Sequence, residues 1–414
     1  MKRLFLLITM GVLCHASMLA QNRQGAIRGS VAAVPPTVQG VRPLDPPALP
    51  GSGMPFLATA PDGGLFVSWI DPLPESESAL RFARWAGPGW SQPETIATGR
   101  NWFVNWADFP AIAILPGGTM LAHWLTRPEE GGKYGYGIRI ARRPPGAREW
   151  REIHGANLDD PKDYAGFLRF APDGSGAVYL APPKARDGGH RKTVRFVAFH
   201  PDGSVVADKE VDADACSCCP TALVRSDRGL VAAYRDHLPG EIRDISVVRF
   251  VDGAWTEPAV VHPDGWKIQG CPTDGPAMAA VGPHIGLVWT TRADERPRVQ
   301  MALSRDGGAT FTPPIRIDDG DPLGRPAITV LDKQNYLAVW LEKSAAGKAD
   351  IRARRVSIEG EAGTSRTIAP AAAARSAGFP QVAVAGDQVV FAWRDERVRS
   401  AVVHSRAFEQ RSGK

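Results

Sequence analysis

The chain has 414 residues, 43% of them hydrophobic and 22% charged, with a formal net charge of +5. That composition excludes intrinsic disorder and a small disulfide-dense scaffold, and it allows a large buried core. The positive charges are spread along the chain with no basic run interleaved with aromatics, so nucleic acid is not an expected partner.

The first segment, residues 1–20, reads MKRLFLLITMGVLCHASMLA: two early positive charges, an apolar run and small residues near Ala16 and Ala20. This is the layout of a cleavable secretory signal, so a periplasmic or secreted protein is expected. Gly11, Val12 and Leu13 before Cys14 make a poor lipoprotein signal, and no later segment has the apolar length of a membrane span. Residues 21–50 form a proline-rich lead expected to be extended, with the alternating stretch Gly25–Val34 as the candidate for a strand that closes a ring.

Residues 51–409 carry a repeat, and residues 410–414 are a short tail. Trp69, Trp124, Tyr179, Tyr234, Trp289, Trp340 and Trp393 recur every 51 to 55 residues. Each closes a short apolar strand that follows another strand and a tight turn such as PDGG, PGG, PDGS, SDRG or AGD. Those turns are β-hairpin chemistry. A third, alternating strand follows, as in ALRFARW, GIRIARR, TVRFVAF, DISVVRF, RVQMALS and DIRARRV, and then a fourth, often preceded by an aromatic and a proline, as at Trp90, Trp255 and Phe311. Four antiparallel strands per repeat predict an all-β propeller of seven blades, with six as the alternative. The seventh unit supplies three strands of its own, so a strand from the N-terminal lead is expected to complete it and cover its edge.

In a propeller, the turns that enter the first strand and leave the second of every blade open on one face, at the mouth of the central channel. Here those turns carry Asp71, Arg235, Asp236, Glu342, Arg394 and Asp395 on one side and Trp102, Trp106, Asp108, Asp274 and Arg325 on the other, with Arg243 and Asp244 beginning a third strand nearby. Such charges serve either as solvated or blade-stitching pairs or as a convergent site in which arginine forks hold an acidic ligand and carboxylates act as acids. Trp102 and Trp106 suit either packing over the channel or stacking against a sugar. Of the histidines, only His237 falls near this face, and no pair of them has ligand spacing.

Four cysteines follow the leader: Cys216, Cys218 and Cys219 in CSCCP, and Cys271 in GCPTDGP. Both segments enter the first strands of consecutive blades and so meet at the mouth. An even count in an exported chain predicts two disulfides. A soft metal such as zinc or copper, or a redox-active pair, are the other readings of the same cluster.

At Ser304 the sequence SRDGGATF matches S-x-D-x-G-x-x-[WF] through Ser304, Asp306, Gly308 and Phe311. With this box the chain resembles the sialidase-like propellers built from bacterial neuraminidase repeats, and the cysteine segments resemble a sub-group of exported sialidase-like proteins. The resemblance implies a structural role for the box and, at the mouth, an exo-sialidase-like hydrolase. In that reading Arg235, Arg325 and Arg394 grip a carboxylate, Asp236 or Asp395 acts as acid, Tyr234 is the nucleophile and Glu342 assists it, while Asp274 joins the substrate-binding residues. The chain has no F/Y-R-I-P segment, where that family places its first arginine. A non-catalytic propeller, expected as a monomer, that binds a glycan, another acidic small ligand or a protein partner is the competing expectation, and a metal or redox centre at the cysteines is the third.

Overall fold

A computed structural model describes residues 36–409 except 129–134, 155–164, 183–191, 202–203 and 345–346. Strands pair in sequence order into seven antiparallel sheets. Blade one comprises Gly53–Thr59, Leu65–Pro72, Ser78–Arg84 and Glu94–Gly99; blade two Ile112–Ile114, Met120–Thr126, Gly137–Arg143 and Arg151–Ile153. Blade three comprises Gly166–Phe170, Gly176–Ala181, Lys192–Phe199 and Val205–Ala215. Blade four has Ala222–Ser226, Gly229–Arg235 and Ile245–Val251, with a split outer strand, Ala254–Trp255 and Ala259–His262. Blades five and six run from Ala277 to Arg316 and from Pro322 to Ala372 in the same four-strand order. The seven-bladed reading therefore holds, and no described helix is long and apolar enough to cross a membrane.

Blade seven contributes Gln381–Ala385, Gln388–Arg394 and Val398–His404, and its fourth strand is Arg42–Pro43, antiparallel to Val398–His404. Closure from the N-terminal side is as expected, but the strand lies downstream of Gly25–Val34, a segment outside the described residues, as are residues 1–20 and 410–414. Only two residues pair, and a backbone bond from Leu44 N to Ser400 O at 2.9 Å together with side chains extends the hold. Asp45 receives Arg397, Arg399 and the Ser400 N–H, and the Trp90 indole donates to Leu44 O at 2.9 Å. A proline is tolerated because this is an edge strand, where a missing N–H breaks no interior ladder.

The core is divided among the blade interfaces. Most buried clusters draw on two neighbouring sheets; Trp69 and Val67, for example, pack against Val390, Ala392 and Val402 across the seam between blades one and seven. Five of the seven recurring aromatics are 0–1% exposed, and each directs its polar tip at a carboxylate. Trp69 donates to Asp71 at 2.8 Å, Tyr179 to Asp208 at 2.8 Å, Trp289 to Asp264 at 2.6 Å and Trp340 to Glu342 at 2.6 Å, while Tyr234 donates to Asp212. A buried indole or phenol carries large apolar area but cannot leave its N–H or O–H unpaired in a dry core.

Asp71 also accepts the Leu49 N–H at 3.0 Å and faces Arg81 at 3.5 Å. Asp71→Ala should therefore orphan the buried Trp69 indole N–H and also release the part-buried Leu49 N–H, costing about 1–3 kcal/mol, most of it from the indole. By urea denaturation, Asp62→Ala, which removes an exposed turn bond to Gly64, should change stability by less than about 0.5 kcal/mol. Equal effects of the two variants would show that the Trp69–Asp71 contact is not a structural one.

Candidate functional site at the channel mouth

The first strands of all seven blades surround a cavity of about 270 Å³ on the ring axis. Its walls are mostly apolar, with Phe56, Phe109, Ile112, Met278, Ile328 and Phe379 prominent, and Arg169 is the single charged side chain among the described lining residues. The Arg169 guanidinium lies 4.4 Å from the Phe109 ring centre and 5.6 Å from that of Phe56, and Nη1 donates to Leu168 O at 2.8 Å. Burial draws its pKa down to about 10, against the opposing charge of Asp108, so it remains a cation at neutral pH.

The neighbours of Arg169 compensate it poorly. Asp108 is buried, accepting the Phe167 N–H at 2.8 Å and the Tyr136 hydroxyl at 3.0 Å, and desolvation pushes its pKa up to about 7 despite those bonds. His123, fully buried, is pushed down to about 3 by desolvation and then by the Arg169 charge, so it is neutral. A half-neutralised carboxyl and a neutral imidazole leave positive potential in an apolar chamber. Arg169 sits inside an ordinary alternating strand, GFLRF, and its place on the axis has no local sequence signal.

The cysteine loops lie at the rim of this chamber, where Pro220 and Gly275 are lining residues. Cys216 N donates to Arg235 O at 3.0 Å, which anchors the first loop to the second strand of blade four. A Cβ on Gly275 would stand 1.9 Å from Pro220 O, so only glycine lets the two cysteine-bearing loops press together. Cys216 Sγ lies 3.7 Å from Cys219 Sγ and 3.9 Å from Cys218 Sγ, and Cys271 contacts Cys218 and Ser217 from the second loop. No disulfide joins the four cysteines in this structure, where two were expected. The closest sulfurs remain far beyond the roughly 2.05 Å of a disulfide bond. The thiols of Cys218 and Cys219 push the Cys216 pKa well below its usual range, with the Arg235 charge adding, and contact with Cys218 brings Cys271 to about 7.

The charged residues expected to converge on a ligand fall into two groups, mostly committed to the frame. Arg235, 1% exposed, gives Nε to Asp274 O, Nη1 to Arg243 O and Nη2 to Thr290 O at 2.6–2.8 Å, with its face on Trp266. Arg325, at φ 59°, donates its backbone N–H to Asp274 and Nη1 to Ala374 O and Gly378 O, and it lies over Trp106, which stacks on Phe379. Arg394 reaches Ser376 O at 2.9 Å near the same rim, and Asp395 is exposed beyond it. Asp236 accepts the Ser246 hydroxyl and the His237 N–H, and burial followed by the Asp212 charge raises it to about 6. Tyr234 is pushed up by burial and by Asp212, the partner of its hydroxyl.

Three expected members stand apart from these groups. Glu342 is buried and receives the Trp340 indole and the Asp321 N–H, both at 2.6 Å. Trp102 stacks on Trp124 at 5.9 Å beside the outer strands of blades one and two. His237 is held between Asp214 at 2.8 Å and Glu241 at 3.4 Å. In the 304–311 turn, Asp306 accepts the Ser304 hydroxyl, the Thr310 N–H and the Thr310 hydroxyl at 2.7–2.9 Å, Gly308 adopts φ 82°, and Phe311 packs into the seam between blades four and five.

No protein-family model matches the chain, and the search of curated proteins finds no match. Among solved structures, 70% of the chain aligns with 63% of the Hadza microbial sialidase Hz136, at 17% identity and a TM-score of 0.42. For the NanB sialidase from Streptococcus pneumoniae, 88% of the chain aligns with 70% of that protein at 10% identity and a TM-score of 0.47. For a Mycobacterium tuberculosis puromycin-hydrolyzing peptidase, 89% aligns with 55% at 12% identity and a TM-score of 0.48. The chain thus spans less than two thirds of the length of the first sialidase, and at these identities the likeness concerns the fold alone.

Burial keeps Asp108 protonated up to about pH 7, while an unfolded aspartate ionises near about 3.9. Between those values the native state holds the extra proton, so the contribution of Asp108 to stability is full below the unfolded pKa and is lost as pH rises through about 7. Asp236, raised to about 6, acts with the same sign. Urea unfolding should therefore give a less stable protein at pH 8 than at pH 5, and Asp108→Asn should narrow the difference. A difference unchanged in Asp108→Asn would remove Asp108 as its source.

Proposed function

We propose that this protein is an exported, ligand-binding propeller that takes a small acidic molecule with an apolar body into its central channel. The observation that carries the reading is the Arg169 cation, the only charged side chain lining the described walls of a 270 Å³ aromatic and aliphatic chamber. No hydrogen bond occupies its Nε or Nη2 among the described residues, leaving one edge of the fork for a carboxylate. Phe109 and Phe56 hold the guanidinium plane, so little side-chain entropy remains to be lost on binding.

Size narrows the ligand class. The chamber is just under the roughly 300–1,000 Å³ of common small-molecule sites, which suits one small acid or one sugar acid and not an oligosaccharide. Binding is favoured over glycoside cleavage because most of the groups a hydrolase would use are engaged. Arg235 and Arg325 are spent on backbone carbonyls, the Tyr234 hydroxyl is on Asp212 and Glu342 is under Trp340. Cleavage of an acidic sugar would need those side chains free to change partners during the reaction.

Calorimetry with benzoate, hexanoate and N-acetylneuraminate, and with benzamide as the neutral control, tests the reading on the purified chain. At least one carboxylate should bind, benzamide should bind about 10- to 100-fold more weakly, and Arg169→Gln should lose the same factor while unfolding at a similar temperature. No binding by any of the acids, or binding equal in wild type and Arg169→Gln, rejects the channel as the site. Turnover of a fluorogenic sialoside that is abolished by Arg325→Ala and Arg394→Ala would restore the hydrolase in its place.

A further inference from the structure

The cysteine cluster is chemically separate from the Arg169 chamber, and nothing in ligand binding uses it. Thiols from two loops meet on the rim: Cys216, Cys218 and Cys219 of one CxCC segment cluster together, and Cys271 of the second loop contacts Cys218. The Sγ atoms of Cys216, Cys218 and Cys219 all lie within 4.8 Å of one another, with two of the separations at 3.7 and 3.9 Å. A metal with sulfur bonds of about 2.3 Å in tetrahedral geometry separates its sulfurs by about 3.8 Å. Two of the separations, from Cys216 to Cys219 and to Cys218, therefore stand at the edge length of a metal–thiolate polyhedron, nearly twice that of a disulfide.

We propose that Cys216, Cys218, Cys219 and Cys271 form a thiolate site for one soft d10 cation, Zn(II) or Cu(I), at the mouth of the channel. Sulfur ligands select these ions over harder ones. Each coordinating thiol releases its proton to solvent as the metal–sulfur bond forms, so no oxidant or reductant takes part. Four thiolates around a divalent ion, or three around Cu(I), carry a net charge of −2, and two guanidinium groups lie beside the cluster. The Arg235 charge acts on Cys216 and Cys219, and that of Arg243 on Cys271. Arg243 is buried, and its Nε and Nη1 have no hydrogen-bond partner among the described residues, an arrangement a neighbouring anion would satisfy.

The loops are built to hold this geometry before an ion arrives. Cys216 is pinned through its backbone to Arg235, and Gly275 against Pro220 keeps the Cys271 loop on the CxCC loop. Cys216 and Cys219 are buried, Cys218 is half-buried and Cys271 is exposed, which gives the ion an entry path and makes Cys271 the last ligand to close.

The full chain, reduced and desalted without oxygen, is titrated separately with Zn(II) and Cu(I) against a chromophoric chelator, and the bound ion is then characterised by X-ray absorption. One equivalent of at least one of the two ions should bind with sulfur neighbours at about 2.3 Å, protecting the thiols from alkylation. Cys218→Ser and Cys271→Ser should each weaken binding tenfold or more. Cys271→Ser, at an exposed position, keeps the test valid if Cys218→Ser fails to fold. Neither ion held more tightly by wild type than by Cys271→Ser, or a bound ion with only oxygen and nitrogen neighbours, overturns the site.

Discussion

The ring depends on one contact repeated around it, a buried aromatic whose polar tip meets a carboxylate at the end of an interblade seam. The aromatic supplies apolar area that a four-stranded sheet could not gain from aliphatic side chains alone, and the carboxylate removes the penalty of its N–H or O–H. Two of these contacts leave the blade of the aromatic: Tyr234 in blade four reaches Asp212 on the outer strand of blade three, and Trp289 in blade five reaches Asp264 in the segment after blade four. The same interaction thus packs the core and sets how neighbouring sheets are placed. Burial raises Asp71, Asp212 and Glu342 above the usual carboxylate range, the electrostatic cost of this arrangement.

That constraint decides which polar groups are left for function. Near the mouth the frame uses most of what it has: the Arg235 fork fills three backbone carbonyls, Arg325 bridges two more, and Asp274 ties the Arg325 backbone to the Arg235 group. Once these are accounted for, two features remain that the scaffold does not need. One is a guanidinium packed against two phenyl rings on the axis, and the other is a set of four thiols on the rim. They belong to different chemistry, hard anion recognition and soft metal ligation, and they are adjacent because Pro220 and Gly275 belong both to the chamber wall and to the cysteine loops.

Ring closure shows the same economy in side chains. The alternating Gly25–Val34 stretch has the better strand pattern, whereas Arg42–Pro43 has a proline and only two paired residues. Asp45, Trp90 and Ser400 hold that short strand through contacts separated by several hundred residues in sequence. Intrinsic propensity is a weak guide where an edge is fixed by such distant partners.

The period of the aromatics, the hairpin turns between first and second strands and the alternation of the third strands determined the all-β propeller and its seven blades, because those are local features that each repeat must satisfy within its own residues. The meeting of the cysteine segments was legible for the same reason, since both enter first strands of consecutive blades. Tertiary structure alone decided that Arg169 faces the axis, that Arg235 and Glu342 serve the frame, and that the thiols stand apart as separate sulfurs. Those outcomes depend on how seven sheets converge on one channel, and a sequence pattern records which face of a strand a residue takes but not which distant strand it meets there.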